Sequence, residues 1–569
     1  MTDDASPAIP TSANAPLAGV SAHVDPFCAQ RLPPPEQWPV LTGIERYPAQ
    51  LNAATELLAT GPARPGAVAY RRGDDAWTYG ELSGRVRRLA AVLAAEGLVP
   101  GNRVLIRGFN SPETAAAILA CLHAGMVAVP TMPLLRAHEL GAIAGRAEPT
   151  LVLTDTRLRA EVDALVSGVG VAAMGADGGV PAPRVLAWGE PTFDAAWAAA
   201  EPMGEPVPTA ATDVALLLFT SGTTGVPKAA CHLHRDILAI CDTVGDAIYQ
   251  LGPGDVVTGT PPLAFAYGFG AFCALPLRAG ACTVLLEQPG PDALLDAVET
   301  HRATVVFTAP TAYRALTPLA AGRDLSSLRY GASAGETLPA PTYEAFRAAT
   351  GVELLDGIGS TELLHVFLSN QIGNTRPGST GINVPGYRCR VVDDDGAEVR
   401  PGEIGHLEVQ GPTGCLYLDD ERQAVYVRNG WNRTGDLYTR DAEGWFWYQS
   451  RADDLIVTAG YNVAGPEVEA ALLAHPAVAE CAVIGVPDPQ RGMVIKAFVV
   501  PTAGHDPGDD LAHALQDHAK ATIAPFKYPR VVEFRHALPK TGTGKIQRFV
   551  LRQEELDRQS TGAAGTSGT

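Results

Sequence analysis

A chain of 569 residues is too long for one hydrophobic core and is expected to form at least two domains. Its 62 acidic residues outnumber its 43 basic ones, and the resulting net charge of −19 argues against a surface that binds nucleic acid or an anionic membrane. The nine cysteines are scattered without a Cys-x-x-Cys pair, so neither a zinc site nor a disulfide framework is indicated. They are typical of small core residues in the reducing cytoplasm, where we expect the protein to act.

Both ends of the chain are predicted to be loosely ordered. Residues 1–35 are rich in Pro, Ala and Ser, and they begin without the basic region and apolar core of a signal peptide. The most apolar stretch, residues 115–129, is too short and too interrupted to span a membrane, so it predicts a core helix that leads into a strand. Residues 556–569 are predicted to form a flexible tail.

Residues 36–450 are predicted to form a large α/β domain. Short apolar runs alternate there with helical patterns, which indicates largely parallel sheets. Around residues 387–409 the pattern changes to short alternating strands separated by Asp-Gly and Pro-Gly turns, which predicts a small β-subdomain. Residues 455–555 combine a helix start at Gly465-Pro466 with strand-like runs and a polar helix, which predicts a compact α+β domain.

The stretch Thr220-Ser-Gly-Thr-Thr-Gly-Val-Pro-Lys228 is the strongest local signal. It follows an apolar run of strand length and precedes helical spacing, so we predict a loop between a strand and a helix. Glycines let the backbone approach a ligand, and backbone N–H groups and hydroxyls donate hydrogen bonds to oxyanions. Pro227 and Ala229 stand where a Walker A loop needs Gly and Ser/Thr, so a P-loop NTPase is not indicated. Taken alone, the stretch predicts either a phosphate-binding loop or an ordinary turn.

Further motifs follow in order: Gly357-Ile-Gly-Ser-Thr-Glu362, Thr434-Gly-Asp436, Arg451-Ala-Asp-Asp454 and Pro539-Lys-Thr-Gly-Thr-Gly-Lys-Ile-Gln-Arg548. With residues 220–228 they extend over more than half of the chain and resemble the signature motifs of the adenylate-forming superfamily of acyl-CoA ligases, adenylation domains and luciferases. This resemblance implies a large N-terminal domain, a hinge at residues 451–454 and a small mobile C-terminal domain. It also implies that ATP activates a carboxylate as acyl-AMP, with release of pyrophosphate, before a thiol accepts the acyl group.

The resemblance assigns catalytic roles to Lys545 and Glu362. Lys545 lies in a glycine-rich loop, and its ammonium would sit between the carboxylate and the α-phosphate, where positioning and cationic stabilisation are needed. Glu362 suits Mg²⁺, which prefers carboxylate oxygen together with substrate phosphates and waters. Without the resemblance, Lys545 is an ordinary exposed lysine and Glu362 caps a helix predicted to start after Thr361.

The resemblance implies a nucleotide site drawn from distant parts of the sequence. Asp436 matches an aspartate that accepts hydrogen bonds from the ribose hydroxyls, and Arg451 matches an arginine beside it; taken alone, the two predict a turn and a surface ion pair. The segments Gly335-Glu-Thr337 and Asp356-Gly-Ile358 match backbone shelves beside adenine, with Ile358 in place of a frequent aromatic residue. The implied ATP and AMP contacts are Thr220, Ser221, Gly222, Thr223, Thr224, Lys228, Gly335, Glu336, Asp356, Gly357, Ile358, Thr361, Asp436 and Arg451.

Within the superfamily, the segments 264–269, 309–313 and 357–365 are most similar to benzoate-CoA ligases, and residues 451–469 are closer still to 2-aminobenzoate-CoA ligases. This similarity implies a small aromatic carboxylic acid, with 2-aminobenzoate favoured, held as a flat ring between aromatic walls. His365 would donate a hydrogen bond to the substrate or to an ortho substituent, or it is a core histidine. The implied acyl-pocket residues are Phe265, Ala266, Tyr267, Gly359 and His365.

CoA is the expected acceptor, with ATP and Mg²⁺ serving the first step. Gly460 matches a glycine beside which the pantetheine arm passes after the small domain rotates, and Asp453 matches the hinge, although a charged linker pair is usually only solvated. Two alternatives stay open: a stand-alone aryl adenylation enzyme that loads a carrier protein, and an inactive nucleotide-binding regulatory protein. The joint presence of Lys545, Glu362 and Asp436 argues against the second. The sequence does not distinguish a monomer from a homodimer.

Overall fold

Four β-sheets with flanking helices organise the chain. The computed structural model describes residues 19–169, 183–220, 227–452, 454–458, 461–488, 492–540 and 546–564. Two large, mainly parallel sheets and a small antiparallel sheet form the N-terminal part, and a smaller mixed sheet with helices forms the C-terminal part. The predicted α/β class with a small α+β C-terminal domain is confirmed, and the boundaries at residues 36–450 and 455–555 stay predictions.

A six-stranded sheet contains the strand that precedes the Ser/Thr/Gly-rich stretch. All but one of its strands run parallel, and an antiparallel strand closes one edge. Helices cover both faces of a parallel sheet, which is why residues 103–107 and 127–131 are buried throughout rather than alternating. In spatial order the strands are Arg184–Trp188, Leu151–Asp155, Arg103–Arg107, Val127–Thr131, Val214–Thr220 and Lys228–Leu233.

A nine-stranded sheet shares one hydrophobic core with the six-stranded sheet. Its central strands run parallel, and antiparallel strands lie at both edges. Helix Pro112–His123 is apolar on nearly every side because it lies within that shared core. In spatial order the strands are Ile382–Asn383, Val366–Ser369, Leu354–Gly359, Tyr330–Ala334, Val305–Thr308, Val256–Gly259, Cys282–Val284, Val68–Arg72 and Asp75–Thr78.

The two remaining sheets are the predicted β-subdomain and the C-terminal sheet, each with five strands. The β-subdomain is antiparallel and ends in strand Phe446–Arg451, directly before the expected hinge. Its other strands are Arg388–Val392, Gly405–Gln410, Val427–Arg428 and Trp431–Arg440. The C-terminal sheet consists of Ile456–Thr458, Tyr461–Val463, Val478–Asp488, Gly492–Pro501 and Val531–Phe534.

The helices follow amphipathic patterns and local caps. In helix Tyr79–Ala95, the Thr78 side chain accepts from the Glu81 backbone and Glu81 accepts from the Thr78 backbone, which stabilises the first turn. None of the helices described combines the length and apolar character that a membrane span requires. The other α-helices are Phe27–Arg31, Ala53–Leu57, Thr60–Ala63, Pro112–His123, Ala137–Ala147, Arg159–Ala164, Pro191–Ala199, His234–Ile240, Ala266–Phe269, Leu275–Ala279, Pro291–His301, Pro310–Leu319, Ala340–Thr350, Gln423–Tyr426, Gly465–Leu473, Asp509–Thr522 and Arg548–Ala564. Short 3₁₀ turns lie at Pro35–Gln37, Ile44–Arg46, Thr156–Leu158 and Pro525–Lys527, and π-helical segments lie at Leu165–Val169, Cys241–Tyr249 and Gly270–Ala274.

Two predictions about loop surroundings are wrong. Residues 220–228 lie between antiparallel strands, Val214–Thr220 and Lys228–Leu233, instead of between a strand and a helix. Residues 228–233 are buried against the sheet, and a helix begins only at His234. Similarly, Glu362 lies in a turn between strands rather than at the start of a helix. A helix directly after this stretch therefore does not support the phosphate binding predicted for it, and that role stays a prediction.

The predicted loose ends are also shorter than expected. From residue 19 onward the N-terminal segment packs on the body of the protein: helix Phe27–Arg31 buries Phe27 and Cys28, and the Leu41 backbone pairs with Gly411 of the β-subdomain. At the other end, helix Arg548–Ala564 continues past residue 555. Phe27 and Cys28 belong to a core cluster whose other members lie far away in the sequence, which composition alone does not reveal.

Candidate active site

Two strand ends meet where the predicted nucleotide residues converge. Thr220, the last residue of its strand, pairs with Lys228, the first residue of the next. In the nine-stranded sheet, strand Leu354–Gly359 carries Asp356, and the following turn carries Glu362. Lys228 Nζ lies 3.5 Å from Glu362 Oε1 and thereby joins the two sheets. A crevice outside the carboxyl ends of parallel strands is the usual ligand site of α/β folds.

A hydrogen-bonded chain of three side chains occupies this junction. Lys228 Nζ donates to the Tyr417 hydroxyl at 2.7 Å, and that hydroxyl donates to Glu362 Oε1 at 2.5 Å. Burial and the Glu362 charge raise the pKa of Tyr417, so the hydroxyl keeps its proton and donates it to the carboxylate. Tyr417 was not predicted, because no motif surrounds it and only the fold brings it to the turn that holds Glu362.

Glu362 offers the oxygen chemistry that Mg²⁺ prefers. Its side chain is 7% exposed, and within the described chain only Oε1 accepts hydrogen bonds, which leaves Oε2 available. No cluster of three or more His, Cys, Asp or Glu side chains suited to a metal ion occurs in the part of the chain that the structure covers. A single carboxylate fits an ion that arrives with nucleotide phosphates, since Mg²⁺ commonly binds one or two carboxylates plus phosphates and waters.

Asp436 and Arg451 face each other across neighbouring antiparallel strands. They are paired residues of strands Trp431–Arg440 and Phe446–Arg451, and Arg451 Nη1 donates to Asp436 Oδ1 at 3.0 Å and to the Thr434 carbonyl at 3.1 Å. Burial raises the pKa of Asp436, and the Arg451 charge opposes that shift. The predicted partnership of these two residues therefore exists as a partly buried ion pair at the end of the β-subdomain.

The two predicted adenine shelves lie at the ends of adjacent parallel strands. Asp356 is buried and its Oδ1 accepts a hydrogen bond from Ser333 Oγ at 3.1 Å, while burial raises its pKa well above the usual range. Glu336 is held by Thr311, whose hydroxyl donates to Oε2 at 2.5 Å. Gly335 adopts φ of +93°, a conformation that favours glycine. Gly357 and Ile358 continue the strand of Asp356, and Thr361 begins the turn that holds Glu362.

His365 lies in an aromatic enclosure next to this turn. Its ring centroid is 5.6 Å from that of Tyr267 and 6.0 Å from that of Tyr249, and Tyr249 in turn makes an edge contact with Phe307 at 5.0 Å. The Tyr267 hydroxyl donates to the Ala332 carbonyl at 3.1 Å, which anchors this wall of the enclosure. The predicted pocket residues Phe265 and Ala266 lie at the start of the short helix that carries Tyr267, and Gly359 lies against the His365 backbone.

Gly270, which the sequence analysis did not predict as a site residue, allows the enclosure to pack tightly against His365. A Cβ atom on Gly270 would lie 2.1 Å from His365 Cδ2, so only glycine fits beside the ring. Gly270 begins one π-helical segment, and Tyr249 ends another, Cys241–Tyr249. Such segments are frequent at functional sites. A glycine inside a helical pattern is the signal that indicates a close approach, whereas nothing local distinguishes Tyr249 or Phe307.

His365 is a neutral imidazole with unused hydrogen-bonding capacity. It is 2% exposed, and burial lowers its pKa to about 3. Neither ring nitrogen makes a hydrogen bond of normal distance and angle within the described residues, although a backbone group of Tyr267 lies close enough to oppose the pKa shift. Buried polar atoms are normally paired by hydrogen bonds. A polar group of a ligand that binds between the aromatic rings would supply the partners of these two nitrogens.

Several predicted site residues fall outside the described residues. They are Ser221, Gly222, Thr223 and Thr224 of the Ser/Thr/Gly-rich stretch, Asp453 of the hinge, Gly460 and Lys545. Their flanking residues are described: Lys540 and Ile546, on either side of the Lys545 loop, pair with each other as an antiparallel bridge. The roles predicted for these residues therefore stay predictions.

Family models match most of the chain. Residues 59–416 match the AMP-binding enzyme family, and residues 467–545 match the C-terminal domain of AMP-binding enzymes. Among curated proteins, the chain is 36% identical to benzoate-CoA ligase of Thauera aromatica, over 89% of this chain and 97% of that protein. It is 33% identical to 3-hydroxybenzoate-CoA ligase of an Aromatoleum strain, over 88% of this chain and 97% of that protein.

Two solved structures of CoA ligases are also similar to this chain over most of its length. A crystal structure of an anthranilate CoA ligase in complex with anthranoyl-AMP has a TM-score of 0.84 and 32% sequence identity, with 90% of this chain and 99% of that chain covered. A benzoate CoA ligase from Burkholderia xenovorans LB400 has a TM-score of 0.80 and 34% identity, with 88% and 99% covered.

Proposed function

The chain belongs to the AMP-binding enzyme family as an acid–thiol ligase of the benzoate-CoA ligase type, and from this premise we propose that its preferred acid is 2-aminobenzoate. The observation that carries the proposal is His365, a buried neutral imidazole whose nitrogens make no hydrogen bond of normal distance and angle within the described residues. A neutral imidazole offers one N–H donor and one acceptor. An ortho-amino group would donate to the acceptor, and the flat ring would pack against Tyr267 and Tyr249.

The reaction proceeds in two displacement steps. In the first, a carboxylate oxygen attacks the α-phosphorus of ATP, the bond to the bridging oxygen breaks, and pyrophosphate leaves. In the second, the sulfur of CoA attacks the acyl carbon, AMP leaves with the electrons of the broken C–O bond, and the thiol proton passes to solvent. The first step brings two anions together, so cations and fixed donors have to offset their repulsion.

We assign the nucleotide contacts to the residues that converge at the strand ends. Lys228 and the Thr220–Thr224 segment would hold the β- and γ-phosphates, Asp436 would accept hydrogen bonds from the ribose hydroxyls, and Glu362 would bind Mg²⁺. The ion would supply charge neutralisation on the phosphates. The proximity of Lys228 to Glu362 and the ion pair of Asp436 with Arg451 support these assignments.

The C-terminal domain is assigned a role in both halves of the cycle. Lys545 would stabilise the anions during adenylation, and rotation about the hinge near Asp453 would then withdraw it and bring Gly460 beside the pantetheine arm. The domain boundaries proposed here are residues 36–450 and 455–555, and the two family matches, residues 59–416 and 467–545, lie inside them.

A substrate panel tests the proposal. The protein is incubated with Mg-ATP, CoA and benzoate, 2-aminobenzoate, the hydroxybenzoates, cinnamate or short fatty acids, and AMP and acyl-CoA are measured. We expect 2-aminobenzoate to give the highest kcat/KM, by about tenfold over benzoate, since a hydrogen bond to a buried group contributes about 1–2 kcal/mol. Equal rates with benzoate would contradict the ortho-amino preference, and formation of the adenylate without an acyl-CoA product would favour transfer to a carrier protein.

The pH dependence of turnover provides a second test of His365. Its pKa of about 3 means that the imidazole is neutral throughout the range from pH 5 to 9, because protonation would place a charge in the aromatic enclosure. We expect the dependence of kcat/KM on pH to show no ionisation of His365 between pH 5 and 9. The apparent pKa of the acidic limb is therefore expected to be the same in wild type and His365→Asn. A limb near pH 6.5 that disappears in the variant would contradict a neutral, buried imidazole.

A further inference from the structure

We propose that Tyr417 is a positioning residue that holds Glu362 and Lys228 at the spacing needed to bind a metal–nucleotide complex. The inference rests on the proposed roles of Glu362 and Lys228. It extends them to a residue that belongs to none of the recognised motifs and that contacts both of these groups at once.

Tyr417 forms hydrogen bonds to both Lys228 and Glu362 and therefore links the two side chains. Its hydroxyl accepts from Lys228 Nζ at 2.7 Å and donates to Glu362 Oε1 at 2.5 Å, whereas Lys228 and Glu362 are 3.5 Å apart. The ammonium also lies 4.8 Å from the centroid of the Tyr417 ring, within range of a cation–π interaction. One phenol therefore orients a cation from the six-stranded sheet and a carboxylate from a turn of the nine-stranded sheet.

Tyr417 itself has little freedom to move. It is 1% exposed, its backbone N–H donates to Gln423 Oε1 at 2.9 Å, and its ring packs edge-on against Tyr426 at 5.9 Å. Gln423 is fixed in turn by donating to the Cys415 carbonyl and to the Gln37 carbonyl. A side chain whose own position is locked by packing and hydrogen bonds is suited to fixing two functional groups.

The chemical role of the phenol is to hold the two charges at a fixed spacing. The ammonium and the carboxylate already form a long ion pair at 3.5 Å. Without the phenol they would approach further, and each would then satisfy the other instead of a phosphate or a metal ion. The phenol and this long contact use Oε1 and two ammonium hydrogens, which leaves Glu362 Oε2 and one Lys228 hydrogen for ligands. Partners that orient a metal-binding carboxylate commonly contribute 10- to 100-fold to metal affinity.

Metal binding in the Tyr417→Phe variant tests the inference. Phenylalanine keeps the ring and its packing and removes only the hydroxyl. We measure Mn²⁺ binding by electron paramagnetic resonance with α,β-methylene-ATP, without acid or CoA, and expect about a tenfold weaker Kd. In turnover, the KM for Mg-ATP is expected to rise by a similar factor while the KM for the aromatic acid stays unchanged. Conversion of supplied aryl-AMP and CoA to aryl-CoA is also expected to stay unchanged.

A matched control is Tyr47→Phe. The Tyr47 hydroxyl is buried and donates to a carboxylate oxygen of Asp242 at 3.1 Å, so this variant loses the same kind of hydrogen bond away from Lys228 and Glu362. Its Mn²⁺ affinity is expected to equal that of the wild type. If both variants weaken Mn²⁺ binding equally, the effect is a general loss of stability and the positioning role is refuted.

A double-mutant cycle shows whether Tyr417 acts through Glu362. In a Glu362→Gln background, Tyr417→Phe is expected to cause no further loss of Mn²⁺ affinity, because the group that it orients is already absent. Additive losses, or an unchanged Kd in folded Tyr417→Phe, would overturn the inference. If the phenylalanine variant fails to fold, Tyr417→His replaces it: imidazole is shorter than phenol and does not reach both partners, so weaker Mn²⁺ binding is again expected. Because no acid is present, this result is independent of which acid the enzyme activates.

Discussion

Replacement of Lys545 by alanine is expected to lower the rate of adenylate formation by about 100- to 1,000-fold, since a fixed group that stabilises transition-state charge has this typical effect. The two anions that react in the first step, the carboxylate and the α-phosphate, have no other assigned cation between them. In the second step a thiol attacks the carbonyl carbon of acyl-AMP. This carbonyl group is uncharged, so the step does not need the Lys545 ammonium. We therefore expect supplied aryl-AMP to react with CoA at the wild-type rate.

Pyrophosphate release and aryl-CoA formation measure the two half-reactions separately. Lys540→Ala is the matched control, because Lys540 lies just before the same loop and its ammonium pairs with Glu480 at 2.8 Å. That variant removes one charge nearby and is expected to keep both half-reactions. Equal losses in both half-reactions of Lys545→Ala would show that the lysine supports the structure of the domain and not the charge of the first step.

Replacement of Gly270 by alanine is expected to lower kcat/KM for the aromatic acid by about 100-fold, the usual effect of displacing a reacting group by about 1 Å. The new methyl group would lie 2.1 Å from His365 Cδ2, and Tyr249 and Tyr267 prevent the ring from moving in their direction. The backbone is not the cause, since Gly270 has φ of −59°, which alanine adopts freely. The imidazole must shift into the space that we assign to the acid.

Nucleotide binding distinguishes a local effect from a global one. Mn²⁺ and α,β-methylene-ATP are expected to bind Gly270→Ala as they bind the wild type, because the change lies in the aromatic enclosure and not beside Lys228. Gly84→Ala is the control: Gly84 also lies in a helix, and its added Cβ meets only the end of the Arg88 side chain, at 3.3 Å. Normal turnover of 2-aminobenzoate by Gly270→Ala would mean that His365 does not border the acyl site.

Local patterns were sufficient for much of the architecture. Apolar runs at residues 103–106 and 303–307 predicted buried parallel strands, and the Gly-Pro start at residue 465 predicted a helix, because these signals depend only on neighbours in the sequence. The surroundings of the Ser/Thr/Gly-rich stretch were predicted incorrectly. The apolar run at residues 214–219 is a strand as predicted, but residues 228–233 form a second strand that pairs with it, and this pairing has no signal in the local sequence.

The sequence by itself determined the family, the two-part domain plan and the polar groups on the recognised motifs, since each motif carries its chemistry in consecutive residues. Only the tertiary structure decided that Tyr417 bridges Lys228 and Glu362, and that Gly270, Tyr249 and Tyr267 enclose His365. These contacts join residues from 55 positions apart, Glu362 with Tyr417, to 189 positions apart, Lys228 with Tyr417. Side-chain contacts at that separation depend on how the sheets and helices pack, and no local period or composition encodes them.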